Sequence, residues 1–229
     1  HVDAVKVGML GTAPVTLAVA RALDELPAGT PVVVDPVMVA ESGARLLDPD
    51  AQRALVEEIL PRATVLTPNL PEARILAGWA GGSPGDPARA AGVPGSGVQT
   101  DVEAGTHGHA GDEDEEVEAL ARALLTLGPR IVVLTGGHRA RAADLFLDSR
   151  GDGSPVSIEG ERHPDGAAHG SGCTHSSVLA AQLALGRSPL DAARTARVLA
   201  GAAVANGLRD IGAGAGPVDV LDLRRLRST

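Results

Sequence analysis

The chain has 229 residues, is 44% hydrophobic and 21% charged, and carries a formal net charge of -9. That bounds it to one large or two small globular domains and argues against nucleic acid as a partner. No apolar run is long enough for a membrane span, the first residues lack the apolar core of a signal peptide, and a lone cysteine excludes an internal disulfide framework and fits the cytoplasm.

With one Phe, one Trp and no Tyr, the core has to be built from Ala, Val, Leu and Ile. In chain order, residues 4–7 read as a short strand around Lys6, the only lysine. Thr12 is placed to cap a helix over 15–26, with Pro14 in its first turn. Residues 31–34 form an apolar strand ending in Asp35, and such runs, buried on both faces, imply a parallel sheet. A helix over 50–60 stops at Pro61, a strand spans 63–66, and a helix starts at 73–77. Residues 79–112 are rich in Gly and Pro, end in an acidic run, and read as a loop or insertion; His107 and His109 inside it are too few ligands for a closed metal site. A helix over 116–127 ends at Gly128-Pro129. Strands follow at 130–134, 143–147 and 156–158, the last two joined by a turn-rich segment. Helices over 173–185 and 189–208, and a terminal one near 218–226, complete the chain. Alternating buried strands and helices predict an α/β fold with a doubly wound, mostly parallel sheet and helices on both faces. Ligands of such sheets sit beyond the strands' carboxyl ends, where Asp35, Asn69, Gly136 and the 170–173 turn all fall.

The most informative stretch is Gly170-Ser171-Gly172-Cys173-Thr174-His175. A Gly-rich turn opening a helix offers unpaired backbone N–H groups and the positive end of the helix dipole, which together make an anion site. A cysteine there is expected to be stabilised as a thiolate. The combination points to phosphoryl transfer or acyl chemistry; the alternative is a helix start with a buried Cys. Asn69-Leu70-Pro71-Glu72 reads in two ways: as a capping box, or as a carboxylate for magnesium with an amide that orients phosphate or water. Asp35 is either a turn residue before Pro36 or a group that positions magnesium or substrate. Lys6 is either an active-site cation or solvated. His138 and His169 follow glycines near the same face.

In their order along the chain, Val5-Lys6-Val7-Gly8-Met9-Leu10, Val34-Asp35-Pro36-Val37-Met38, Thr67-Pro68-Asn69-Leu70-Pro71-Glu72, Gly136-Gly137-His138 and His169-Gly170-Ser171-Gly172-Cys173-Thr174 resemble the hydroxymethylpyrimidine/phosphomethylpyrimidine kinases of thiamine biosynthesis, in the ribokinase-like superfamily. The resemblance covers 2–78 and about 113–222 and implies one kinase domain over 1–229, N-terminally incomplete: the family's first strand, substrate turn and lid-like segment have no counterpart here. It implies ATP-dependent phosphorylation of 4-amino-5-hydroxymethyl-2-methylpyrimidine and then of its monophosphate. Gly170, Ser171 and Gly172 become the anion hole and Cys173 the group that accepts the hydroxyl proton. Met9 and Val37 line the pyrimidine pocket; Asn69, Thr135, Gly137 and His138 bind ATP; Glu72 and Asp35 serve Mg2+. The family often has Lys where Thr135 stands. The partners implied are small molecules, with no nucleic acid, no membrane and a possible homodimer. The alternatives are a pyridoxal kinase of the same superfamily and a catalytically silent binding remnant.

Overall fold

The computed structural model describes residues 1–39, 45–81, 110–138, 142–164, 166–209, 211, 214 and 216–223. Six strands form one sheet in the order β1 (Val5–Val7), β2 (Val32–Val34), β3 (Val65–Leu66), β4 (Ile131–Leu134), β5 (Ala143–Asp148) and β6 (Val156–Glu159). The first four run parallel, with Lys6 opposite Val33 and Val65 opposite Ile131. The last two form an antiparallel hairpin on β4, as the turn-rich segment between them requires.

Alternation along the strands divides the core. Val32, Val34, Leu66, Val132 and Leu134 face one layer, with α1 (Ala13–Asp24), α2 (Pro49–Ala54), α3 (Leu70–Ala80) and α4 (Ala110–Leu125). Val33, Val65, Ile131, Val133 and Phe146 face the other, covered by α5 (Ser171–Ala184) and α6 (Pro189–Ala205). The helices between parallel strands fall on one face, as right-handed crossovers in a steadily advancing strand order require. The second face is closed only after the hairpin, by α5 and α6. Ala192, Ala193, Ala196, Ala200 and Ala203 are all buried, so these two helices pack through small side chains in place of aromatics.

Several boundaries differ from the sequence reading. Thr12 does precede α1, but its side chain makes no capping bond; its carbonyl instead accepts the Thr16 hydroxyl. The helix after Asp48 leaves α geometry at Leu55–Ile59 for a π turn and ends as a 3-10 turn, Leu60–Arg62, where Pro61 has no N–H to continue the ladder. The helix expected from 116 begins at Ala110, and α3 reaches Ala80, so both ends of the predicted 79–112 loop are helical. His107 and His109 lie outside the described residues. No helix covers 218–222. That stretch is extended and bent, held by the Val218 N–H on His169 O and the Asp219 N–H on Ala203 O. Asp222 takes a positive φ of 54°, and helical geometry begins only at Leu223. No described helix is long and apolar enough to cross a membrane.

Candidate active site

Gly170 ends the approach to α5 at φ 87°, in the left-handed region that suits glycine. The Ser171 N–H turns back to Ala168 O at 3.0 Å, and the first helical bond runs from Thr174 N–H to Gly170 O at 2.9 Å. The intervening Gly172 and Cys173 amides have no carbonyl four residues back within the helix, so they lie at its positive end. Ser171 and Gly172 face a cavity of about 290 Å³ that Asn69, Thr135, Gly136 and Gly137 also line. Asn69 and Thr135 reach it side by side because β3 and β4 continue into a parallel bridge, with the Thr135 N–H on Pro68 O at 2.9 Å. Gly136 can be nothing larger: a methyl there would sit 2.2 Å from the Ala143 carbonyl oxygen. The anion turn and the predicted ATP contacts Asn69, Thr135 and Gly137 therefore converge. His138 ends a 3-10 turn, Gly136–His138, and its side chain lies outside the description.

Behind the turn lies a second cluster. Asp35 is buried, accepts a 2.9 Å hydrogen bond from the buried Ser176 hydroxyl, and lies 3.4 Å from the Lys6 ammonium. Lys6 is thus an ion-paired cation in the middle of β1. It folds back over Gly8, where a methyl would stand 2.6 Å from its Nζ. The surroundings work against the expected thiolate. Partial burial of the Cys173 thiol, together with the charge of Asp35 and its hydrogen bond to the thiol, pushes the sulfur's pKa up, and Lys6 opposes this only in part. Lys6→Met is expected to destabilise the fold by about 3 kcal/mol, because it leaves a buried carboxylate without its cation. Urea unfolding measures this; an unchanged midpoint would mean that the Ser176 bond alone holds Asp35.

The Asn69–Glu72 pair realises the capping box. The Asn69 side chain accepts from the Glu72 N–H at 2.9 Å, and the Glu72 carboxylate accepts from the Asn69 N–H at 2.9 Å. Glu72 also accepts from the Met38 backbone. The carboxyl therefore ties α3 to the loop that follows Asp35. Burial pushes its pKa to about 8, with the Asp35 charge adding to the rise and the two backbone bonds opposing it. Among the described residues no three His, Cys, Asp or Glu side chains cluster as a closed metal site. Magnesium that arrives with a nucleotide needs only one or two carboxylates beside phosphate and water; Glu72 and Asp35 are the two buried carboxyls near the opening turn of α5, and both stand outside the cavity lining. Met9 is 62% exposed and Val37 half-buried, and neither lines the cavity.

Sequence reasoning missed Ser176, Asp144, His175 and Arg197. Asp144 had a usable signal, an acid inside the otherwise apolar run Ala143–Leu147. The others become visible only when α5 and α6 are packed on the sheet.

A mostly parallel sheet whose carboxyl end meets a helix-opening glycine turn, a cavity and a buried acid defines a phosphotransferase of the ribokinase-like class. The phosphomethylpyrimidine kinase family model matches residues 1–93 and 100–219. The hydroxymethylpyrimidine/phosphomethylpyrimidine kinase of Rhizobium meliloti is 38% identical over 220 residues, 95% of this chain and 70% of that one. Its Haemophilus influenzae counterpart is 34% identical over 93% of this chain and 69% of that one. Among solved structures, the pyridoxal kinase of Staphylococcus aureus in complex with pyridoxal is 28% identical with a TM-score of 0.69, covering 98% of this chain and 69% of that one. The phosphomethylpyrimidine kinase of Clostridium difficile 630 is 25% identical with a TM-score of 0.58, covering 86% and 66%. The chain belongs to the phosphomethylpyrimidine kinase family.

Proposed function

We propose that the chain transfers the γ-phosphoryl group of ATP to the hydroxymethyl oxygen of 4-amino-5-hydroxymethyl-2-methylpyrimidine, and then a second phosphoryl group to the resulting monophosphate. The observation that carries this is the opening turn of α5, which brings Ser171 and Gly172 to the cavity wall and places Cys173 beside the buried Asp35. In the first transfer the hydroxyl oxygen bonds to the γ-phosphorus while the bond to the β-phosphate oxygen breaks, releasing ADP. The Gly172 and Cys173 amides hold the charge on the transferring group. The hydroxyl proton passes to the Cys173 sulfur as the thiol gives its own proton to Asp35, so no free thiolate is needed. In the second transfer the attacking oxygen belongs to a phosphate already ionised near neutral pH, and no hydroxyl proton has to be removed. Asn69, Thr135, Gly137 and His138 contact the nucleotide, and Met9 and Val37 lie on the acceptor side. Glu72, with Asp35 through water, would hold Mg2+, which when bound neutralises phosphate charge.

The pyridoxal kinase reading is favoured by one observation, the higher TM-score of the S. aureus enzyme, 0.69 against 0.58 for the C. difficile kinase. ATP consumption with hydroxymethylpyrimidine, its monophosphate and pyridoxal separates the two. Turnover of both pyrimidines is expected; turnover of pyridoxal alone would replace this reading, and no turnover by a folded sample would make the chain a silent binding domain.

A further inference from the structure

The described residues hold another buried charged group that the transfer steps do not use. Asp144 on β5 is fully buried. Its Oδ1 accepts the Gly136 N–H at 2.8 Å and lies 3.5 Å from Arg197 Nη1 on α6. Its Oδ2 lies 3.3 Å from His175 Nε2 on α5. The Arg197 guanidinium donates in addition to the Ala142 carbonyl. Gly160 leaves the space the guanidinium occupies, since a methyl there would meet Arg197 Nε at 2.1 Å. Burial alone would raise the Asp144 carboxyl, but His175, Arg197 and the Gly136 amide hold it below the usual carboxylate range.

All three side chains line the same cavity as Gly136, Ser171 and Gly172. Lys6, Asp35 and Cys173 do not. One carboxylate therefore ties together three walls of the cavity: the turn after β4, the first turns of α5, and the face of α6 that carries Ala200, Gly201 and Val204. The arrangement is a poor one for stability alone. Beyond the 3.3 Å ion-pair approach of Asp144 Oδ2 to His175 Nε2, neither of these atoms, nor His175 Nδ1 or Arg197 Nε, has a hydrogen-bond partner among the described residues, and buried charges with incomplete partners are costly compared with apolar packing.

We propose that Asp144, His175 and Arg197 are positioning residues for the nucleotide: they set the distance between the Gly136 turn and the start of α5, and with it the grip on the phosphate chain. This rests on the kinase reading above. Asp144 acts through the Gly136 amide and through α5 and α6, and the acceptor side is untouched by it.

Calorimetric titration of ADP, with steady-state kinetics on the same samples, tests the proposal. Asp144→Asn keeps an oxygen for the Gly136 amide and removes the charge that holds the other two side chains. His175→Leu removes one arm, and His175→Gln restores a donor toward Asp144. Losing such an ion-pair contact is expected to weaken ADP binding by roughly tenfold in Asp144→Asn and His175→Leu. His175→Gln should recover most of that loss. KM for ATP should rise in step, while kcat at saturating ATP and the KM of the pyrimidine change far less. The proposal is overturned if both variants bind ADP as the parent does, or if kcat falls and both KM values rise together, as general loosening would produce. If Asp144→Asn does not fold, the two His175 variants decide alone. A parent chain that binds ADP but phosphorylates no acceptor would sink the kinase reading and leave the calorimetric comparison to judge the tie; a parent chain that does not bind ADP overturns both.

Discussion

Cys173→Ala is expected to lower kcat for hydroxymethylpyrimidine by roughly 10²–10⁴-fold, the usual contribution of a positioned proton acceptor, and to lower kcat for the monophosphate by much less. The asymmetry follows from the acceptors. A hydroxyl has to shed its proton as the new P–O bond forms, and in the proposed mechanism the Cys173 sulfur beside Asp35 takes it. A phosphate monoester oxygen is already ionised at neutral pH, so the second transfer leans on the α5 amides and on alignment alone. The substitution leaves the backbone of the turn in place, because the groups that would hold the phosphoryl charge are the N–H groups of Gly172 and residue 173. ADP affinity should therefore stay close to the parent's. Initial rates with each pyrimidine, at saturating ATP, give the comparison. Equal losses on the two acceptors would show that Cys173 shapes the site and carries no proton, and unchanged rates on both would remove it from the chemistry.

The raised thiol shows where a sequence motif stops being informative. Glycines ahead of a helix are local, and Gly170 at a positive φ with free amides after it could be read from four residues. The protonation of Cys173 is not local. It follows first from burial of the thiol and then from Asp35, which reaches the turn because β2 lies under α5 and Ser176 bonds the carboxylate. The division of the sheet into two faces was legible in the Val32-Val33-Val34 run, since the residues of a strand point alternately to the two layers. The π turn at Leu55–Ile59 was not, as the apolar spacing there suits either helix. The apolar residues near 218–223 resembled a helix because Val220, Leu221 and Leu223 have helical spacing, but the backbone of 217–219 is taken up by bonds to Leu208, His169 and Ala203. Of the two readings of Asn69 and Glu72, the capping box is the one the structure forms, and it fixes the Glu72 carboxyl beside Asp35.

That fixed carboxyl gives the second large effect. Glu72 has a pKa of about 8 in the folded chain against 4.5 for the free group, raised mainly by burial. It binds its proton more tightly folded than unfolded, so its contribution to stability is full below about 4.5 and is lost as the pH rises through about 8, with nothing further lost above that. At roughly 1.4 kcal/mol for each unit the loss amounts to several kcal/mol, enough to shift thermal unfolding by many degrees. Glu72→Gln cannot titrate, and its melting temperature should lose most of this slope between pH 5 and about 9 while the parent keeps it. The same substitution is expected to lower turnover at least tenfold at limiting Mg2+ and to shift the magnesium titration to higher concentration, because a neutral amide is a weaker partner for a divalent ion. In the parent, a divalent cation competes with the Glu72 proton, so Mg2+ with ADP should flatten the alkaline loss of stability, while in Glu72→Gln it should raise the melting temperature by a similar amount at each pH. Melting curves across pH, with and without Mg2+ and ADP, measure both effects. A parent slope that persists in the variant would mean that another group titrates, and an unaltered magnesium titration would confine Glu72 to its capping bonds.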